Sequence, residues 1–155
     1  MTIAKAIRPK KLVGYDEDVL LWSQQQARLL REGRFAELDI DHLADEIEDV
    51  GKSEKRELES RCAVLLAHLL KWIEQPERRS NSWRFTIRAQ RERIALALKT
   101  TPSLKTVLRE GEWRTGAWLE AVALFEKETG IDHEERFETA PFSFEQALDP
   151  EFWPQ

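Results

Sequence analysis

The chain has 155 residues, 41% of them hydrophobic and 34% charged, with a formal net charge of −5. That length suits one domain burying roughly two-thirds of its unfolded surface, so neither a metal nor a disulfide is required to hold it together. Six tryptophans and seven phenylalanines exclude intrinsic disorder, and the single cysteine, Cys62, excludes an intramolecular disulfide framework.

Residues 1–14 read as a flexible lead-in carrying Lys5, Arg8, Lys10 and Lys11 and ending at Gly14. No apolar signal-peptide core follows these bases, and no apolar run approaches the roughly 20 residues that span a bilayer. With one cysteine, this predicts a soluble cytoplasmic protein with no membrane partner. Residues 15–155 are expected to form a single α-helical domain. Asp16 is a candidate N-cap for the first helix, with Glu17 and Asp18 favourably placed in its first turn. Val19, Trp22, Leu29 and Leu30 give that helix an apolar face, and Gly33 stops it.

Asp39 is the next N-cap, and Ile40, Leu43, Ala44, Ile47 and Val50 recur on one helical face expected to be buried. Gly51 then interrupts, and Ser53 could cap a fresh start. Leu58, Cys62, Leu65, Leu69 and Ile73 continue the stripe, in which Cys62 reads as a small buried hydrophobe. Residues 40–74 are therefore one long helix with a kink at Gly51, or two helices meeting at a turn. A glycine costs a helix interior only about 1 kcal/mol, so the single helix is favoured.

Pro76 ends this segment. Ser82 is expected to cap the following helix, whose inner face is Trp83, Ile87, Ile94 and Leu98. Thr100–Pro102 breaks the chain again, and Ser103 should cap a stretch carrying Leu104, Val107 and Leu108. A helix then runs from about Glu112 to Thr129 and stops at Gly130. Ser143 and Gln146 form a capping box for a short C-terminal helical turn, and Phe152 and Trp153 should staple the tail to the fold. Few segments alternate like strands. The fold class is all-α, a four- to five-helix bundle with a long central helix.

Several stretches in order, Leu43 to Arg61, Leu65 to Trp72, Ser82 to Arg91, Thr101-Pro-Ser-Leu104 and Phe152-Trp-Pro154, resemble the bacterial domain-of-unknown-function family 29. The resemblance covers roughly residues 15–154. It implies an α-helical cytosolic protein of a kind common in cyanobacteria and proteobacteria, and brings no activity, substrate or catalytic residues.

Three constellations carry possible chemistry. No cofactor is predicted, but His42 and Glu46 lie four apart, with Asp49 a turn further on, a spacing that can present ligands to one divalent metal. His68 could join them only if Gly51 folds the segment back, because on one helix it stands about 33 Å from Glu46. The Glu-x-x-His pairs of di-iron bundles are absent, and His68 on an apolar helix is more simply a satisfied core residue. The second constellation is Arg84, Arg88 and Arg91 at i, i+4 and i+7, with Trp83, Phe85, Arg78 and Arg79 close by. Arginines interleaved with aromatics suit an acidic protein partner, and also the phosphates and bases of a nucleic acid. The acidic overall balance argues against a dedicated nucleic-acid binder. The third is a polar line, Glu54, Glu57, Arg61 and His68, expected to anchor a buried network that fixes register.

Charge is segregated. Residues 36–50 hold seven acids and no Lys or Arg, and residues 51–99 hold twelve bases against six acids. Stretches of opposite sign in one chain most simply face each other or water. No P-loop, Rossmann glycine pattern, nucleophile elbow or zinc spacing occurs. The sequence therefore favours a non-enzymatic module that binds another protein or itself over a metal-binding bundle or a nucleic-acid binder.

Overall fold

The computed structural model describes residues 11–132 and 140–155. Lys5, Arg8, Lys10, His133 and most of the acidic stretch before the capping box lie outside them. The protein is all-α with a long central helix, and no strand occurs among the described residues. Among the described residues six α-helices run in order: α1 (Val19–Arg31), α2 (Ile40–Glu74), α3 (Asn81–Thr100), α4 (Leu104–Val107), α5 (Gly111–Thr129) and α6 (Phe144–Leu148). Short 3-10 turns, Phe35–Glu37 and Pro76–Arg78, precede α2 and α3. The chain forms two compact units, residues 1–50 and residues 51–155, with the start of α2 in the first and its remainder in the second.

In the first unit α1 begins two residues later than expected. Asp18, not Asp16, is its N-cap, accepting from the Leu21 N–H at 2.9 Å. Asp16 and Glu17 instead belong to a turn in which the Glu17 and Asp18 N–H groups both donate to Gly14 O. The helix stops as expected: Gly33 takes φ +70°, and Gly33 and Arg34 donate back to Leu30 O and Leu29 O in a Schellman closure. The buried face of α1 is Trp22, Gln26 and Leu29, whereas Val19 and Leu30 are exposed. Gln26 is buried because its Oε1 accepts the Asp39 N–H at 2.8 Å, which ties the end of the connection to α1. The largest departure is on α2, where Ile40, Ile47 and Val50 are 60%, 71% and 65% exposed rather than buried. Helical periodicity marks a face as apolar without saying that anything covers it.

α2 passes through Gly51 unbroken, the single-helix alternative, and Ser53 caps nothing. Beyond Gly51 it supplies the core of the second unit. Leu58, Cys62, Leu65, Leu66, Leu69 and Leu70 are almost wholly buried, as are Ile87 and Ile94 of α3 and Ala117, Ala121 and Phe125 of α5. The small residues Ala63, Ala117 and Ala121, all at 0% exposure, let α2 and α5 contribute to one tight layer. Burial of Cys62 pushes its thiol pKa up to about 12, in keeping with an inert core residue.

Ser80, not Ser82, caps α3, accepting from the Trp83 N–H at 3.2 Å. Both serines are competent caps, and the 3-10 turn at Pro76–Arg78 delivers the earlier one. Ser103 precedes α4 but makes no capping bond. Gly130 closes α5 at φ +72°, and Ser143 and Gln146 form both bonds of the capping box on α6.

The C-terminal tail is held by one buried side chain. Arg91 of α3 is 5% exposed, and its guanidinium donates to Ala147 O and Phe152 O at 2.8 Å each and to Pro150 O at 3.4 Å. Burial lowers its pKa, against the charge of Asp149, yet an arginine stays cationic. Phe152 meets Phe142 at 6.2 Å, and Trp153 meets Trp72 at 5.0 Å between ring centroids. Arg91→Ala should cost about 3 kcal/mol, because hydrogen bonds to a charged donor are lost and the buried Ala147 carbonyl loses its partner. Urea unfolding would measure that loss, and protease cleavage near Trp153 would report the released tail. Arg91→Lys should recover little, since an ammonium cannot fork to several carbonyls.

Candidate functional site: an arginine–tryptophan face

The sequence brings four guanidiniums onto two indoles in the second unit. The last turns of α2 present Trp72, and Arg79 follows the Pro76–Arg78 turn. Its Nε donates to Trp72 O at 2.8 Å, so it satisfies one of the carbonyls left open where α2 ends. That bond also sets the Arg79 guanidinium over the Trp72 ring, 4.8 Å from its centroid. From α3, Arg84 lies 5.2 Å from Trp72 and 5.9 Å from Trp153, and Arg88 lies 6.0 Å from Trp153. Arg91 packs on Trp153 from the buried side at 5.5 Å. Guanidiniums on indole faces are attracted by the ring quadrupole and keep their N–H edges available to acceptors.

Trp72, Arg79, Arg84, Arg88, Trp153, Pro154 and Gln155 line an open cavity of about 420 Å³. Arg79, Arg84 and Arg88 are exposed, and among the described residues none of the three forms an ion pair with a carboxylate. In an open cavity with an aromatic floor, three guanidiniums present N–H groups whose chemistry matches the oxygens of an anion. Of the residues singled out in the sequence, Arg84 and Arg88 are here. Arg91 is committed to the tail. Trp83 is half-buried and instead meets Lys71, whose Nζ lies 5.0 Å from its ring and donates to Glu128 at 2.5 Å. Arg79, close to that row in the sequence, is here as well, whereas Trp72 and Trp153 stand far apart in the chain and join the arginines only in the folded structure.

The histidine–carboxylate pair occupies the first unit, in a hydrogen-bonded cluster. Tyr15 stacks on His42 at 4.4 Å, and its hydroxyl donates to Glu46 Oε1 at 2.5 Å. Asp39 Oδ2 accepts from Trp22 Nε1 at 3.0 Å and lies 2.8 Å from His42 Nδ1. Burial would raise the Asp39 pKa, but the bonds from His42 and Trp22 outweigh it and hold the carboxylate below its ordinary value. The hydrogen bond to Glu46, with the charges of Glu46 and Asp49, raises the Tyr15 pKa. Because α2 does not fold back at Gly51, His68 does not join this group. Among the described residues no three His, Cys, Asp or Glu side chains gather closely enough to hold a metal ion.

The polar line of α2 is not one buried network. Glu57 and Arg61 form an ion pair at the surface, and with Glu54 they line a groove of about 280 Å³ against Arg93, Leu96, Thr100 and Leu104. His68 stands apart, half-buried, with Nδ1 2.9 Å from Val64 O. Burial is the main cause that lowers its pKa below 6.5, followed by the charge of Lys71. The folded state therefore favours the neutral ring. That contribution to stability is complete above the unfolded value and is lost as pH falls through the depressed one. Thermal melts from about pH 7 down to about pH 5.5 should show the wild type losing more stability than His68→Leu. Equal slopes in that window would contradict the assignment.

Comparison with known proteins adds no activity. No curated protein and no solved structure matches the chain. The model of one family, described as Domain of unknown function DUF29, matches residues 14–153. That span includes every described helix, the polar cluster around Asp39 and the arginine–tryptophan face. The chain belongs to the DUF29 family.

Proposed function

We propose that this protein is a non-enzymatic interaction module that takes an acidic segment of a partner protein on the arginine–tryptophan face. The observation that carries the reading is the set of Arg79, Arg84 and Arg88, exposed around one cavity with no carboxylate of the described chain paired to them. Carboxylates of an extended acidic segment match planar guanidiniums in pairs, and the indoles beneath keep the arginines splayed toward them. Each such contact, once water is excluded, contributes about 1.5–3 kcal/mol. The absence of a catalytic motif in the sequence supports a binding role.

The metal-binding reading has less support, because the Glu46 carboxylate is engaged by Tyr15 and Asp39 serves both Trp22 and His42. Nucleic acid shares the chemistry of the arginine face, but its long run of phosphates meets more of a chain of net charge −5 than a short acidic segment does.

A fluorescein-labelled glutamate-rich peptide, titrated at low salt with fluorescence polarisation, tests the proposal. Binding should weaken about tenfold or more for Arg84→Ala with Arg88→Ala, the equivalent of about 1.4 kcal/mol or more, and should fall as salt rises. Undetectable binding, or binding indifferent to both arginines, would refute it. Tighter arginine-dependent binding of a single-stranded oligonucleotide of equal charge would replace it with nucleic-acid recognition.

A further inference from the structure

The first unit leaves an apolar face of α2 in water. At 100° per residue, Ile40, Ala44 and Ile47 fall within one narrow stripe, and Val50 lies along its edge. Ile40, Ile47 and Val50 are 60%, 71% and 65% exposed, and Ala44 is exposed beside them. Leu43, half-buried, marks where the helix surface turns toward the cluster of Tyr15, Trp22, Asp39, His42 and Glu46. On the opposite edge Asp41, Asp45 and Glu48 recur at i, i+4 and i+7, all exposed. No Lys or Arg occurs from residue 35 to residue 51.

We propose that this acid-edged apolar stripe docks a basic amphipathic helix of a partner protein, a surface and a partner charge distinct from those of the arginine–tryptophan face. Single exposed apolar residues are ordinary, but a helical row of them bordered by one sign of charge has the form of a helix-docking seam. Apolar anchors of the incoming helix cover Ile40, Ala44, Ile47 and Val50, and its Lys or Arg side chains meet Asp41 and Asp45. Charge complementarity selects this occupant over a second copy of the chain. Two copies placed stripe to stripe bring two acidic rails into one interface, and like charges there oppose association.

A leucine–lysine peptide patterned as an amphipathic helix, fluorescently labelled, is the probe, and the same residues in scrambled order are the control. The patterned peptide should bind the full chain at least about tenfold more tightly than the scrambled one. Ile47→Asp should weaken it about tenfold, and Asp41→Asn with Asp45→Asn should weaken it several-fold and flatten its salt dependence. Ala44→Glu, at a second exposed position on the stripe, repeats the test should Ile47→Asp disturb folding. Undetectable binding, equal binding of the scrambled peptide, or binding unchanged by Ile47→Asp and Ala44→Glu would overturn the proposal. Sedimentation that reveals a dimer dissolved by Ile47→Asp would also overturn it, by making a second copy the occupant.

Discussion

A guanidinium can be withdrawn from water only where acceptors converge on it, and Arg91 has that arrangement. Its fork meets the carbonyl of Ala147, in the last turn of α6, and those of Pro150 and Phe152 beyond the helix. The bond set works in both directions: it satisfies a buried cation, and it fixes a tail that has only one short helix of its own. The docking of Trp153 on Trp72 follows from it, and so does the outer wall of the arginine cavity. A ligand taken at that cavity would be thermodynamically linked to docking of the tail, because Trp153 is present there only when the tail is seated.

The two units use different physics. The second is an apolar core, laid down by α2 beyond Gly51 and completed by α3 and α5, with polar bonds added at its ends. Among its described residues the first has few buried apolar side chains, and it is stitched instead by a polar and aromatic cluster centred on Asp39. Deep burial of Trp22 and Gln26 depends on that carboxylate and its backbone amide, so Asp39 carries more of the first unit's order than its place in a loop suggests.

Much of this was legible in the sequence. The helix stops at Gly33, Pro76 and Gly130, the capping box on α6 and the apolar stripe from Leu58 to Leu70 are local signals, and the fold kept them. Ambiguity arose where two equivalent residues stood two apart. Asp16 and Asp18, or Ser80 and Ser82, are chemically interchangeable caps, and the preceding turn decides between them. The exposed stripe from Ile40 to Val50 shows a different limit: periodicity measures how apolar a face is and is silent on its neighbours. Half of the arginine site was readable as the Arg84–Arg88 spacing. The aromatic half was not, because Trp72 and Trp153 come from distant parts of the chain and meet only once Arg91 has drawn in the tail.

Cys62 sits at the centre of the α2 stripe, 1% exposed, as the only thiol in the chain. A reagent that alkylates thiolates meets it only when the layers of α2, α3 and α5 part. The fold therefore carries its own clock. In a fast-closing regime the labelling rate of this one sulfur reads the equilibrium of core opening, and in a slow-closing regime it reads the opening rate itself.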